Sequence, residues 1–252
     1  MEGWIEFSPR NKKEEKIKDK LIKSKKIREY LIQKFLATIL EREGLRPIRT
    51  GLNLWDLIGP YRTPLEVLNR YYHPLQPDID ILCVRGGEKV QTPLIGFEVK
   101  VFTRYNQIVI PKTSEDKGYY SGIEQALSLL TYGLDYASLW HVFIVPLEEW
   151  GRRADMKQII EENVEWTACY TQFIDQAFIK NLNLPIGYRA TAINIGRDRD
   201  KILYYTFYKV SAPPNHVFAV TPARIRLLLI NRLKIEETVY QRRFLEELAR
   251  TK

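Results

Sequence analysis

The sequence predicts an α/β fold in which a mixed central sheet is flanked by helices. Hydrophobic residues make up 45% of the 252 residues, which is ordinary for a globular protein and sufficient for a large core. Some segments carry apolar residues at helical spacing, whereas others are short apolar runs bounded by Gly, Pro and Asp, as is typical of strands. The alternation of the two kinds of segment indicates helices packed on a sheet.

Most of an αβββαβ core can be placed along the chain. Its predicted elements are one long helix at Asn11–Glu43, a short helix at Pro64–Tyr72, strands at Ile79–Val84 and Leu94–Phe102 joined by a turn at Gly86-Gly87, a helix at Gly118–Tyr136 and a buried strand at Leu139–Val145. In the long helix, Ile17, Leu21, Phe35 and Ile39 recur at helical spacing, and Gly44 can end it. One further strand comes either from the Ile108 region or from Ile48–Leu54.

The remainder of the chain is predicted to extend this core within a single domain, residues 1–252. The αβββαβ core spans about residues 14–146, and a C-terminal extension of helices and a hairpin spans about 147–252. The elements predicted there are helices at Leu147–Glu165 and Thr167–Asn181, a hairpin of Tyr188–Ile195 with Ile202–Val210, and a terminal helix at Pro222–Lys252.

Charge favours an anionic partner. The net charge is +8, and ten Lys and Arg residues lie between Arg10 and Arg28. Such a run is either a solvated helix face or a surface that follows phosphates, in which case Lys23 and Lys26 are candidate nucleic-acid contacts. The two cysteines, Cys83 and Cys169, provide neither a disulfide scaffold nor a zinc site. Without a signal peptide or a membrane-spanning apolar stretch, we expect a cytoplasmic protein that does not enter membranes.

The most informative residues lie on the two predicted hairpin strands. The first strand carries Asp78 and Asp80, and the second carries Glu98 and Lys100. Side chains alternate across a strand, so each pair shares a face, whereas Ile79, Ile81, Phe97 and Val99 are predicted to point the other way. Neighbouring carboxylates in apolar strands are costly without a partner, and a divalent cation such as Mg²⁺, which needs only one or two carboxylates, removes that cost. Lys100 could then stabilise negative charge on a phosphate.

The pattern from Pro77 to Val145, with Pro77-Asp78, Asp80 and Glu98-Val99-Lys100, resembles the PD-(D/E)XK nuclease superfamily, which has a restriction-endonuclease-like fold. The resemblance implies a magnesium- or manganese-dependent nuclease that hydrolyses DNA phosphodiester bonds through a metal-activated water. It implies catalytic roles for Asp80, Glu98 and Lys100. It also implies metal ligation by Asp80, Glu98 and the carbonyl of Val99. Asp78 is the second choice for the first acid.

Further residues follow from the same resemblance. Gln125, near the start of the next helix, matches a catalytic Gln of many exonuclease-like members, and Glu29, Glu41 or Glu66 could supply an additional acid. Lys112 and Lys117, in the loop after the catalytic strand, could contact the nucleic acid, although solvated loop charges are an equal explanation. DNA is the expected substrate, RNA is not excluded, and a homodimer is compatible with the family.

Two alternatives stay open. The chain could be a non-catalytic nucleic-acid-binding protein that retains the nuclease-like fold, or Asp80, Glu98 and Lys100 could form a purely structural salt-bridged hairpin. Buried ion pairs are rarely favoured without a function, which argues against the second alternative. The sequence does not distinguish endonuclease from exonuclease action, nor does it reveal sequence specificity.

Overall fold

The computed structural model describes residues 4–24, 28–53, 78–85, 93–102, 122–146, 172, 174–196, 200–215 and 220–250. Within these ranges the strands form one mixed sheet flanked by helices, which confirms the predicted α/β class. The strands are β1 (Ile5–Glu6), β2 (Leu45–Asn53), β3 (Asp78–Arg85), β4 (Leu94–Phe102), β5 (Tyr136–Pro146), β6 (Gly187–Gly196) and β7 (Lys201–Val210). The helices are α1 (Lys12–Lys23), α2 (Glu29–Arg42), α3 (Ile123–Thr131), α4 (Val220–Leu233) and α5 (Val239–Arg250), with a π-helix at Ile174–Lys180.

The described strands form a seven-stranded sheet in the order β1-β7-β6-β5-β4-β3-β2. The central pairs β4–β5 and β5–β6 are parallel, and the pairs on either side are antiparallel. The predicted hairpin of β6 and β7 is confirmed, and it joins the same sheet as the predicted catalytic core. Of the two candidates for the additional strand, the one near Ile48 corresponds to β2.

Two apolar layers cover the sheet. On one face, Ile81, Phe97, Val99 and Trp140 pack with apolar residues of α1 and α2. On the other face, Leu82, Leu94, Leu139 and Tyr188 pack with apolar residues of α3 and α4. The central strands are therefore covered on both sides, which explains their nearly continuous apolar sequences. None of the helices in the described ranges combines the length and apolar character that crossing a membrane requires.

The prediction of one helix at Asn11–Glu43 is wrong. Ser24 has an extended backbone with ψ 118°, so α1 ends at Lys23, and a separate α2 begins at Glu29. Residues 23–28 contain four cations and a single apolar residue, so a helix there would bring like charges together with little to bury. The start of α1 was predicted correctly, because Asn11 Oδ1 accepts the Glu14 N–H at 3.0 Å.

Two other helices are shorter than predicted. The terminal helix is interrupted at Lys234, whose φ is 53°, and the N–H of the buried Ile235 donates to the Ile230 carbonyl at 2.8 Å. Burial of Ile235 thus ends α4 without a Gly, the residue that normally marks such an end. Helix α3 ends at Thr131, before Gly133 with φ 77°, so Tyr136 belongs to β5. The predicted helices at Pro64–Tyr72 and Leu147–Glu165, and the Ile108 region, lie outside the described residues.

Glu14 joins the N-terminal segment to both first helices. Its buried carboxylate accepts hydrogen bonds from the Arg10 main chain at 2.9 Å and from Arg42 Nη2 at 2.6 Å. Arg42 also donates to the Ser8 carbonyl and lies over the Phe7 ring. Burial raises the pKa of Glu14, but the hydrogen bonds from Arg10 and Arg42 outweigh it and lower the pKa to about 2.

We expect Glu14→Gln to lower the free energy of unfolding by roughly 2–3 kcal/mol at pH 7, because it removes the charge that pairs with both guanidinium groups. The folded-state pKa of Glu14 lies below its ordinary value of 4.5, so this stability is present above pH 4.5 and is lost as pH falls toward 2. Urea unfolding at pH 7 and pH 2.5 measures the difference. The exposed Glu15→Gln is the control, and equal effects of the two variants at pH 7 would contradict this account.

Candidate active site

The site forms where β3 and β4 stop pairing. Within the described residues their ladder runs from Val84 opposite Leu94 to Ile81 opposite Phe97. In a continued antiparallel ladder, Val99 would next exchange hydrogen bonds with Ile79. Instead, the Val99 N–H donates to Asp80 Oδ2 at 2.6 Å. The Asp80 carboxylate thus takes the place of a main-chain acceptor and lies in the gap between the strands.

The side chains around Asp80 do not alternate as predicted. Ile81, Phe97 and Val99 share one face, as expected, but Ile79 packs on the opposite face with residues of α3. The prediction that Ile79 shares the face of Ile81 is therefore wrong. The change of face therefore lies between Ile79 and Ile81, and this stretch contains Asp80, whose carboxylate reaches the Val99 main chain of β4.

Gln33 of α2 contacts the candidate site, although the sequence pattern did not predict it there. Its Nε2 donates to Asp80 Oδ1 at 2.6 Å, and both side chains are buried. Both Asp80 oxygens are thereby held, one by a side-chain amide and the other by the Val99 main chain. The available signal was a polar residue between Ile32 and Phe35 on the apolar side of α2, where an uncompensated amide would be costly.

Glu98 and Lys100 share a face of β4, as predicted. Lys100 Nζ lies 2.6 Å from Glu98 Oε1, and the Glu98 and Lys100 side chains are only 2% and 12% exposed. In the described part of the chain, Glu98 Oε2 and Asp78 Oδ1 are buried without a hydrogen-bond partner. Buried carboxylate oxygens without partners are costly, so this cluster contains more negative charge than its surroundings neutralise.

The pKa values of the three carboxyl groups in the cluster are all raised, as expected where negative charge is in excess. Burial, followed by the charge of Glu98, raises the pKa of Asp80 to about 8. Burial also raises the pKa of Glu98, and despite the opposing effect of Lys100 the value reaches about 7. The pKa of Asp78 is raised, mainly by burial. Near neutral pH the cation-free site therefore retains a proton that exposed carboxylates would have lost.

Two of the three candidates for a further acid, Glu29 and Glu41, lie within the described part of the chain. Burial and nearer charges are the main causes of the raised pKa values of Asp80 and Glu98, and the charge of Glu29 on α2 adds to them. Glu29 precedes Gln33 by four residues and therefore lies on the same side of α2. Glu41 is exposed and lines a groove on another side of this helix. Glu66 lies outside the described residues.

Of the other predicted site residues, three lie within the described part of the chain and three lie outside it. Gln125 is half-buried in the first turn of α3. The N–H and C=O of an extended residue point the same way, so the Val99 carbonyl faces the gap that contains Asp80. Lys23 Nζ lies 3.4 Å from Asp19 Oδ2 on the surface of α1. Lys26, Lys112 and Lys117 lie outside the described residues.

Gly122 fixes the position of the Lys100 side chain. It precedes α3 with φ 91°, and a Cβ added to it would lie 2.9 Å from Lys100 Cγ and 2.7 Å from Leu139 Cδ1. The alkyl chain of Lys100 is thus packed between a strand and the start of a helix. Its ammonium group is restricted to the neighbourhood of Glu98.

We expect Gly122→Ala to lower any activity of the site about tenfold, because the added methyl group displaces Lys100. The backbone strain of a positive φ should also lower stability by roughly 1 kcal/mol. Gly44→Ala is a matched control, since Gly44 has φ 87° but no atom within 4 Å of an added Cβ. Equal loss of activity in the two variants, measured at a temperature where both are folded, would show that Gly122 does not position Lys100.

The residues fit a small divalent cation with few protein ligands. Within the described ranges, no three His, Cys, Asp or Glu side chains are arranged to hold a metal ion together. Two carboxylates and one carbonyl are nevertheless enough for Mg²⁺, which usually keeps several waters. Asp80, Glu98 and the Val99 carbonyl offer this set. A cation there would also satisfy Glu98 Oε2 and lower the raised pKa values.

Comparison with known proteins does not identify a family. Neither a protein-family model nor a curated protein matches the sequence. Among solved structures, Pyrococcus furiosus SfsA in complex with Ca²⁺ aligns with 14% identity and a TM-score of 0.31. The alignment covers 71% of this chain and 61% of the SfsA chain, which is less than two thirds of the latter. Similarity of this degree does not bear on the chemistry of the site.

Proposed function

We propose that this protein is a metal-dependent nuclease that hydrolyses phosphodiester bonds, with DNA as the first substrate to test. The observation that carries the proposal is the convergence of Asp80, Glu98 and Lys100 in one buried cluster at the gap between β3 and β4. Two carboxylates with raised pKa values and an orphaned Glu98 oxygen lie beside a fixed ammonium group. Such a combination is typical of a site that binds a cation and a phosphate, and it would be costly in a purely structural apolar core.

Each residue has a distinct role in the proposal. Asp80 and Glu98, with the Val99 carbonyl, would hold Mg²⁺ or Mn²⁺. The bound cation would supply Lewis-acid polarisation of the phosphate and activation of the attacking water. Gln33 and the Val99 N–H orient Asp80, because each holds one of its oxygens at 2.6 Å. Lys100, fixed by Glu98 and Gly122, would stabilise the negative charge that develops on the phosphate.

The second candidate function is nucleic-acid binding without catalysis. The observation that favours it is the engagement of both Asp80 oxygens and one Glu98 oxygen by groups of the protein itself. Because protein groups already bind these carboxylate oxygens, the site could remain folded without a cation. The two candidates differ in whether nucleic acid is cut when Mg²⁺ is added.

Cleavage of circular, linear, single-stranded and branched DNA, and of RNA, tests the proposal directly. One set of reactions contains about 5–10 mM Mg²⁺ or Mn²⁺, which is roughly the concentration needed to fill a weak site with two carboxylates. A second set contains EDTA instead of the cation. We expect cation-dependent products from at least one substrate. Salt-sensitive binding without products under any of these conditions would instead support the non-catalytic alternative.

A further inference from the structure

A concave surface lies where α1, α2 and β2 meet. A groove of about 680 Å³ between α1, α2 and β2 is lined by five cationic residues and one acid. They are Lys13, Lys16, Lys20, Lys34, Arg49 and Glu41, and we refer to this surface as the basic groove. Its charge is therefore strongly positive, although the adjacent helices also carry acidic residues.

Ion pairing distinguishes the cations of the basic groove from Lys18 on the same helix. In the described part of the chain, no carboxylate lies within ion-pair distance of its five cationic residues. By contrast, Lys18 on another side of α1 lies 3.4 Å from Asp200 Oδ2. Concentration of unpaired positive charge in a concave surface focuses the field and attracts polyanions.

Two elements connect the basic groove to the candidate active site. On α2, Gln33 holds Asp80, and the next residue, Lys34, lines the groove. On β2, Thr50 lines the groove and pairs with Ile81, the residue that follows Asp80. A chain that occupied the groove would therefore pass close to the end of β3 at which the acidic cluster lies.

We propose that the basic groove binds the phosphate backbone of the nucleic acid on which the neighbouring site acts, an inference that rests on the proposed function. Lys13, Lys16 and Lys20 follow one side of α1 at intervals of about 5–6 Å, so they can contact successive phosphates. The concave shape suits an extended polyanionic chain better than a flat membrane surface. Because the cations contact phosphates and not bases, binding by the groove is independent of sequence and sensitive to salt.

A double substitution within the groove tests this assignment. Lys16→Gln with Lys20→Gln removes two cations from the middle of α1, and Lys12→Gln with Lys18→Gln removes two cations of the same helix that do not line the groove. Affinity for a fluorescent single- and double-stranded oligonucleotide is measured in EDTA over a range of salt concentrations. We expect the groove variant to bind roughly tenfold more weakly, with a salt slope smaller by about 2, whereas the control variant keeps the wild-type slope.

The outcomes separate the groove from the catalytic proposal. Equal binding by both variants would overturn the groove assignment even if the wild-type protein cuts DNA. Groove-dependent binding by a protein that cuts nothing would support the groove and reject the nuclease. Binding of phosphatidylserine vesicles without binding of oligonucleotides at the same salt would also overturn the proposal. Circular dichroism of each variant confirms that a loss of binding does not reflect unfolding.

Discussion

Lys100→Met is expected to reduce cation-dependent cleavage about a hundredfold or more, because it removes a fixed positive charge from the position where phosphate charge develops. Asp80→Asn should reduce it by a similar or larger factor, since the amide is a much weaker cation ligand. Initial rates at saturating Mg²⁺ measure both effects. Lys201→Met is the matched control, since Lys201 is also a strand lysine paired with a glutamate, Glu6, but lies in β7 away from the site.

The loss of Lys100 also leaves Glu98 as an uncompensated buried charge, so the single variant should be less stable at high pH. Combining it with Glu98→Gln removes both charges, and replacement of a whole buried pair is often neutral or stabilising. We therefore expect the double variant to be at least as stable as the wild-type protein and equally inactive. Retention of wild-type cleavage by a folded double variant would reject these residues as the catalytic centre.

The cation-free protein is expected to lose stability as pH rises from 5 to 8. The folded-state pKa values of Asp80 and Glu98, about 8 and about 7, lie above their ordinary values of 3.8 and 4.5. Their contribution to stability is therefore fully present below pH 4 and is lost as pH rises through the folded-state values. Because each unit of pKa difference corresponds to about 1.4 kcal/mol, the loss by pH 8 should amount to several kcal/mol. Urea unfolding in EDTA at several pH values measures it.

Addition of Mg²⁺ should reverse this loss, and its stabilising effect should grow with pH because the cation binds the deprotonated carboxylates. Asp80→Asn should flatten the pH profile in EDTA and reduce the effect of Mg²⁺. Asp19→Asn, which changes an exposed carboxylate on α1, is the control. A wild-type profile that rises between pH 5 and pH 8, with no response to Mg²⁺, would contradict the proposed charge imbalance.

The parts of the fold that were predicted correctly depend on local patterns. The apolar runs of β3, β4 and β5 and the paired runs of β6 and β7 are long enough to identify strands from sequence alone. The helix ends were less predictable, because tertiary packing determines them. Burial of Ile235, for example, ends α4 without a Gly, and the sequence next to Ile235 does not indicate this end.

The candidate active site likewise contains residues whose positions follow from local sequence patterns and residues whose positions depend on tertiary packing. The i, i+2 spacing of Glu98 and Lys100 on a strand is sufficient to place them together. The position of Asp80 could not be deduced in the same way, because it depends on where the β3–β4 ladder ends and on a hydrogen bond from the Val99 main chain. Gln33 comes from a helix far away in sequence, so only the packing of α2 on the sheet brings it to Asp80.

Anomalous diffraction from crystals soaked in Mn²⁺ tests most directly whether Asp80 and Glu98 form a cation site next to Lys100. We expect one strong anomalous peak between the carboxylates of Asp80 and Glu98, on the side of the Val99 carbonyl, and no peak there in crystals of Asp80→Asn. Crystals that contain Mn²⁺ elsewhere but show no density at this position, at a pH above 8, would contradict the claim.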